Sequence, residues 1–324
     1  MLALHAYIVD RFGNRVTVAR APWIPPELSL LQRLLALGRD AAEEALLPAK
    51  TIPAGAKVRL ALFAGLPAER PGLPADLGKG ALAAVAAVIP KEVRVVEQQS
   101  LLLGHVAGLR AVEEGCRWIQ EGRADLCLAG GIESYIDRAT LEWIDWTGQL
   151  HAPTNSWGFV PGEAAGFCLL ASERLAAQAS LKVLGHVLSA ATTLEPKLRR
   201  DRAVCSGDGL TESWRRTLAA LPAGAKVDQM MCDLNGQSHR ADEFAFAMMR
   251  LSPRFQDPGR FRTPADCWGD VGAASGPLFV ALAVMAGKKR WAAGPHTLLW
   301  CNAMVAERSS ALVHVPCGAM GGNR

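Results

Sequence analysis

Apolar and polar positions follow one another along this chain in two rhythms. Short apolar runs bounded by turn residues, at Val58 to Ala64, Val93 to Val96, Leu126 to Ala129, Phe167 to Ala171 and Val183 to Ala190, predict strands. Between the second and third lies the clearest helix, Val106 to Glu121. Leu109, Val112, Cys116 and Ile119 recur there at spacings of three and four, as one buried stripe requires, while Arg110, Glu113, Glu114 and Arg117 fall on the outward side. Gly122 follows as a stop. Further on, Asp228 to Leu234 predicts a strand, Arg240 to Leu251 a helix and Ala273 to Gly287 a helix of apolar and small residues. Leu298 to Val305 and Ala311 to Val315 predict two closing strands. Such alternation from end to end is the signature of an α/β protein. The order of elements suits two similar halves, 1–176 and 177–318, with a flexible tail at 319–324, although no repeat shows as identity. The proline-rich stretches Pro22 to Pro26 and Pro67 to Pro74 predict loops.

Composition narrows the class. With 324 residues, 50% hydrophobic and 20% charged, the chain has enough apolar surface for a sizeable core. Apolar runs such as Leu278 to Ala286 fall well short of the roughly 20 residues that span a bilayer. Met1 to His5 lacks a charged segment leading to a cleavage site, so the expectation is a cytoplasmic protein with no membrane partner. The net charge is +4, and basic residues gather only at Lys197 to Arg200 and Lys288 to Arg290, too few to predict a nucleic-acid partner. Eight cysteines without a C-x-x-C pair read as reduced core residues. Cys232, His239 and Asp242 are too loosely spaced for zinc, and the sequence calls for no cofactor or metal.

Two runs carry more information: Leu126-Cys127-Leu128-Ala129-Gly130-Gly131-Ile132-Glu133-Ser134, and Gly158-Phe159-Val160-Pro161-Gly162-Glu163-Ala164-Ala165-Gly166. Both resemble the beta-ketoacyl synthases of the thiolase superfamily, most strongly from about 90 to 190. The resemblance implies a duplicated five-layered αβαβα thiolase-like fold. It also implies a catalytic cysteine opening the central helix, three residues before a glycine. Here that glycine is Gly108, and His105 stands in the cysteine's place. The family's first histidine corresponds to Asn235, in Cys232-Asp233-Leu234-Asn235-Gly236-Gln237. The second corresponds to Asp270, ahead of Gly272-Ala273-Ala274-Ser275, and the upstream lysine to Ala265. The family's glycine-rich loop near the carboxyl end corresponds to Trp300 to Ser310, which holds no glycine, and bulky Met304 and Val305 are expected to deny close backbone approach. The chain is several tens of residues shorter than a typical ketosynthase, which the resemblance assigns to missing insertions over the acyl tunnel.

Condensation needs a thiolate that accepts, holds and releases an acyl group, and an acyl-imidazole hydrolyses instead. Cys116 lies about three turns further into the buried stripe and cannot substitute. His105 is open to two readings, a histidine packed at a helix start or a base. Asn235 reads either as a tight turn with Gly236 or as an amide donor to an oxyanion, and Asp270 either as a helix cap or as the carboxylate that orients His105.

Two functions follow. One is a catalytically degenerate partner subunit, adaptor or chaperone. Its partner would be a second copy, a related ketosynthase or a secreted effector such as a type VI secretion cargo, with Glu121, Arg123 and the helix from Arg240 as candidate contacts. The other is a hydrolase, decarboxylase or acyltransferase acting on an acyl thioester, with acyl carrier protein as a further partner. A third possibility is an acyl chain held without turnover. Trp143, Trp146 and Trp157 read as buried, with an interface as the alternative. Lys91 to Gln99 resembles the edge strand through which family dimers pair.

Overall fold

The computed structural model describes residues 2–53, 56–198 and 205–316. Cys317, Arg199, Arg200 and the tail 319–324 lie outside the described residues.

Two sheets form the frame. The first has the order β4-β3-β5-β6, from Val93–Leu102, Val58–Leu66, Leu126–Ser134 and Glu163–Ala171. The second has the order β7-β11-β10-β8-β9, from His186–Leu194, Glu307–His314, His296–Asn302, Gln229–Cys232 and Phe261–Arg262. In the first, β4, β3 and β5 run parallel and β6 returns antiparallel. The second repeats this: β9, β8 and β10 are parallel, β11 is antiparallel to β10, and β7 adds a further antiparallel strand. A hairpin of β1 (Leu2–Val9) and β2 (Arg15–Ala19) stands apart from both.

Helices complete five layers. α1 (Leu30–Ala45) and α2 (Leu77–Ala86) cover the outer face of the first sheet. α3 (Ala107–Gln120) and α9 (Ser275–Lys288) lie between the sheets and touch both. α6 (Asp208–Leu218) covers the outer face of the second sheet, packed beside α7 (Ser238–Leu251). The shorter α4 (Arg138–Trp146), α5 (Glu173–Gln178) and α8 (Ala265–Trp268) fill connections. This is the αβαβα arrangement that the resemblance implied. Because helices cover both faces of each sheet, β3 and β5 are buried almost throughout, which explains their continuous apolar sequence.

The central layer packs tightly because its contacts are made by glycines. A Cβ at Gly131 would stand 1.9 Å from the Ala273 carbonyl oxygen, so β5 and the start of α9 meet backbone to backbone. α3 is more buried than its periodicity predicts: Ala111, Glu114 and Trp118 are buried as well, since the helix meets both sheets. Glu114, expected outside, is kept under the surface by Arg110 and Arg117. α1 begins with a capping box in which Ser29 and Gln32 bond reciprocally. No helix among the described residues is long and apolar enough to cross a membrane.

Candidate functional site

His105, Asn235 and Asp270 come from three distant parts of the chain and meet. His105 lies in the single 3-10 turn Gly104–Val106 that leads into α3. Asp270 precedes the matching turn Gly272–Ala274 that leads into α9. His105 Nε2 is 2.8 Å from Asp270 Oδ2, and Asn235 Nδ2 donates to that same oxygen at 2.5 Å. All three side chains are buried.

Asp270 both closes a turn and faces His105, whereas Asn235 closes a turn and spends its amide on Asp270 and Gln237. Asp270 Oδ1 accepts the Gly272 N–H at 2.8 Å, closing a turn one residue ahead of the cap position at Val271, while Oδ2 faces His105. Asn235 Oδ1 accepts the Gln237 N–H at 3.2 Å, closing a turn, while its amide reaches Asp270. Glycine is required at 272, where φ is +42° and a Cβ would lie 2.1 Å from Glu133 Oε2.

Behind this trio runs a buried polar network. Asn235 Nδ2 and Arg240 Nε both donate to Gln237 Oε1, and Arg240 Nη1 reaches Asp233 Oδ2 and the Asn302 carbonyl, each at 2.7 Å. Asn302 donates its N–H to Asp233 and its side-chain amide to Glu243. Both Glu243 oxygens accept from Arg308, at 2.6 and 2.8 Å. None of these residues was read from the sequence as part of the site. Arg240 is 1% exposed and Glu243 2%, so the helix from Arg240 does not offer those charges as surface contacts. The error has a physical source: a charged residue on a helix is outward by default, and only the fold shows that each has a buried partner.

Electrostatics separates the two aspartates. Burial alone would raise the Asp270 carboxyl, but the charge and hydrogen bond of His105, then Arg240 and the Asn235 amide, hold it below its ordinary value. At Asp233 burial prevails and raises the carboxyl despite Arg240. Burial, with Glu113, pushes the Cys116 thiol up to about 11, the opposite of an activated nucleophile.

The cavity that touches Asp270 and Asp233 measures about 10 Å³, room for one water. A larger cavity, about 220 Å³, lies elsewhere, between Asp10 to Thr17 and Leu150 to Pro153.

Met304 and Val305 stand 48% and 41% exposed at the tip of the β10–β11 hairpin. The tip is held by Arg308 Nη1, which donates to the carbonyls of Ala303 and Val305. The expectation of buried tryptophans needs correction: Trp146 and Trp157 are 74% and 68% exposed, and only Trp143 is partly buried. Trp146 is the last residue of α4 and falls off the stripe that buries Leu141 and Ile144.

Comparison with known proteins bears on the fold. Residues 106–176 match the family model of the beta-ketoacyl synthase N-terminal domain, beginning one residue after His105. A ketosynthase structure described as a type II polyketide synthase acyl-carrier protein in complex with its ketosynthase bound to the hexaketide is similar at 15% identity. Its TM-score is 0.77, over 97% of this chain and 92% of that one. The chain has the fold of this ketosynthase structure, and its likeness to the sequence family spans residues 106–176. The ishigamide ketosynthase/chain length factor is also similar, at 20% identity and a TM-score of 0.66, over 93% of this chain and 87% of that one. So is the ketosynthase from module 6 of the bacillaene synthase of Bacillus subtilis 168, at 14% identity and TM-score 0.69, over 90% of this chain and 61% of that one. No curated protein matches the ketosynthase-like chain.

Proposed function

We propose that this ketosynthase-like chain acts by binding, as a catalytically degenerate partner of other proteins. One observation carries the reading: the helix start that should present a thiolate holds His105, tied at 2.8 Å to Asp270 in a buried network. His105 and Asn235 are both engaged with Asp270, and the cavity that touches Asp270, about 10 Å³, has room for a water rather than an acyl chain. The replacements are mutually compatible. His105 and Asn235 both bond to Asp270, which ties together the segments leading into α3, α7 and α9.

The partner is a second copy or a related ketosynthase subunit, and an acyl carrier protein or secreted effector is a further option. Support for the first comes from β4, a ten-residue strand at an open sheet edge. Similar structures include a ketosynthase/chain length factor and a ketosynthase in complex with an acyl-carrier protein. The test has two arms. Purified protein is assayed for carbon–carbon bond formation from acyl and malonyl thioesters, expected to be absent. Affinity purification from the native host then identifies the partner. Condensing activity in the purified chain would sink the proposal.

A second reading rests on the same 2.8 Å contact, because an imidazole oriented by a carboxylate is the arrangement of a general base. His105 would activate water against an acyl thioester, and Asn235 would have to turn its amide from Asp270 and Gln237 to donate to the oxyanion. Thioester hydrolysis lost in His105→Ala would favour it over binding.

A further inference from the structure

One end of the second sheet is basic, and its cations come from three separate elements. Lys288 ends α9, Lys289 caps it and Arg290 follows. Arg262, from β9, lies over the Trp291 ring at 4.6 Å from its centroid, which joins β9 to the turn after α9. Lys226 precedes β8 and is joined to the same turn through Asp228. That carboxylate accepts the His296 N–H at 2.9 Å and packs so closely on Gly294 that a Cβ there would stand 2.2 Å from its carboxyl carbon. The other acids nearby are engaged as well, Asp257 with Arg260 at 3.6 Å and Asp266 with the Thr263 hydroxyl. Lys226, Arg262, Lys288, Lys289 and Arg290 are all exposed, and among the described residues none has an ion-pair partner.

The helix end accounts for only part of this set. Carbonyls at a helix carboxyl terminus favour cations in the last turn, which explains Lys288 and Lys289. Arg290 lies beyond the helix at a φ of +60°, a left-handed conformation that glycine adopts there without strain. The backbone at 290 therefore does not select arginine. Lys226 and Arg262 belong to other elements and gain nothing from the end of α9.

Apolar surface stands among these charges. Trp291 is 36% exposed, and Met285, one helical turn before Lys288 and Lys289, is 39% exposed. Exposed tryptophan and methionine beside arginine are the composition of a protein-binding centre, with the lysines as its polar rim. A nucleic-acid surface presents cations in a longer stripe along the phosphates, which five cations around an apolar centre do not form.

We infer that this end of the second sheet docks an acidic, amphipathic segment of a partner protein, its carboxylates on Lys226, Lys288, Lys289 and Arg290 and its apolar side chains on Trp291 and Met285. Charge complementarity sets the sign of the partner, since the unpaired groups are all cationic. The inference rests on the binding role proposed above and gives that role a surface. It lies at the opposite end of β10 from Asn302 and apart from the β4 edge.

Full-length protein is titrated, by fluorescence anisotropy, with a labelled amphipathic helix of glutamate and leucine, with its glutamine counterpart and with a single-stranded oligonucleotide of similar length. The acidic helix is expected to bind about tenfold more tightly than either control, and less tightly as salt rises. Lys288→Gln with Lys289→Gln should weaken that binding about fivefold and keep the melting temperature, because both side chains are exposed and unpaired. Arg290→Gly should weaken it about threefold while raising the melting temperature by about 1–2 °C, whereas a residue that served only the helix end would leave binding unchanged. No binding of the acidic helix, equal binding of the glutamine helix or the oligonucleotide, or binding unaltered in the Lys288→Gln/Lys289→Gln pair would each overturn the inference. The binding role itself is judged by partner capture and the condensation assay, which read the whole molecule and not this surface, so the two failures are told apart.

Discussion

Asp270 uses both carboxylate oxygens, one on the backbone of the turn before α9 and one on His105 and Asn235. Asp270→Ala therefore leaves buried donors without an acceptor and should lower the unfolding free energy by about 3–5 kcal/mol, read from urea denaturation. A loss below about 1 kcal/mol would mean that the network does not hold the site. The pH dependence has a definite sign. Asp270 is held below its unfolded value, so its contribution is complete above about pH 4 and is lost as pH falls through the folded value. Asp233, which burial raises, contributes in the opposite sense, its share being lost as pH rises through its folded value. The stability gap between wild type and Asp270→Asn should thus stay constant from about pH 6 to about pH 4 and narrow as the pH falls further, and a gap unchanged below about pH 4 would contradict the assignment. His105, Asn235 and Asp270 were legible because counting from Gly108, Gly236 and Gly272 reaches them. Asp233, Arg240, Glu243 and Arg308 were not, since a buried ion pair leaves no period in a sequence.

At the scale of elements, apolar runs located the sheets well because burial on both faces forces continuous apolar sequence, as in β3 and β5. Their ends were less legible. β5 continues to Ser134 through two glycines and a glutamate, and β6 begins at Glu163, whose charge is met by Arg33 at 2.8 Å. No local pattern announces a charged residue that belongs inside a strand. The hairpin β1–β2 and helices α1, α2 and α6 were also missed, although the Ser29 to Gln32 capping box was readable. The close approach at Gly131 makes a sharp prediction. Gly131→Ala puts a methyl into the Ala273 carbonyl and should cost about 3 kcal/mol or more. Gly148→Ala, at a φ of +67° but with nothing within 4 Å, should cost about 1–2 kcal/mol. Denaturation midpoints of the two variants decide, and equal losses would argue against the tight β5–α9 contact.

For the molecule as a whole, β4 presents ten residues of strand at a sheet edge, with Arg94, Gln98, Gln99 and Leu102 exposed. If the chain pairs through this edge, Gln98→Lys with Leu102→Lys should shift sedimentation from dimer to monomer while the melting temperature of the monomer is kept. A wild type that sediments as a monomer at all concentrations would direct attention to a different subunit as partner. The sequence alone determined the α/β class, the resemblance to the ketosynthases and the candidate residues His105, Asn235 and Asp270, because strand burial, helix periodicity and glycine turns are local demands. Tertiary structure decided that His105 and Asn235 both bond to Asp270, that four arginine–glutamate and arginine–aspartate pairs, including Arg70 with Glu133, lie buried, and that Arg262 lies over Trp291 beside Lys288 to Arg290. The reason is separation: partners that stand tens to more than a hundred residues apart meet only when the sheets stack and set their register, and no short stretch of chain records that meeting.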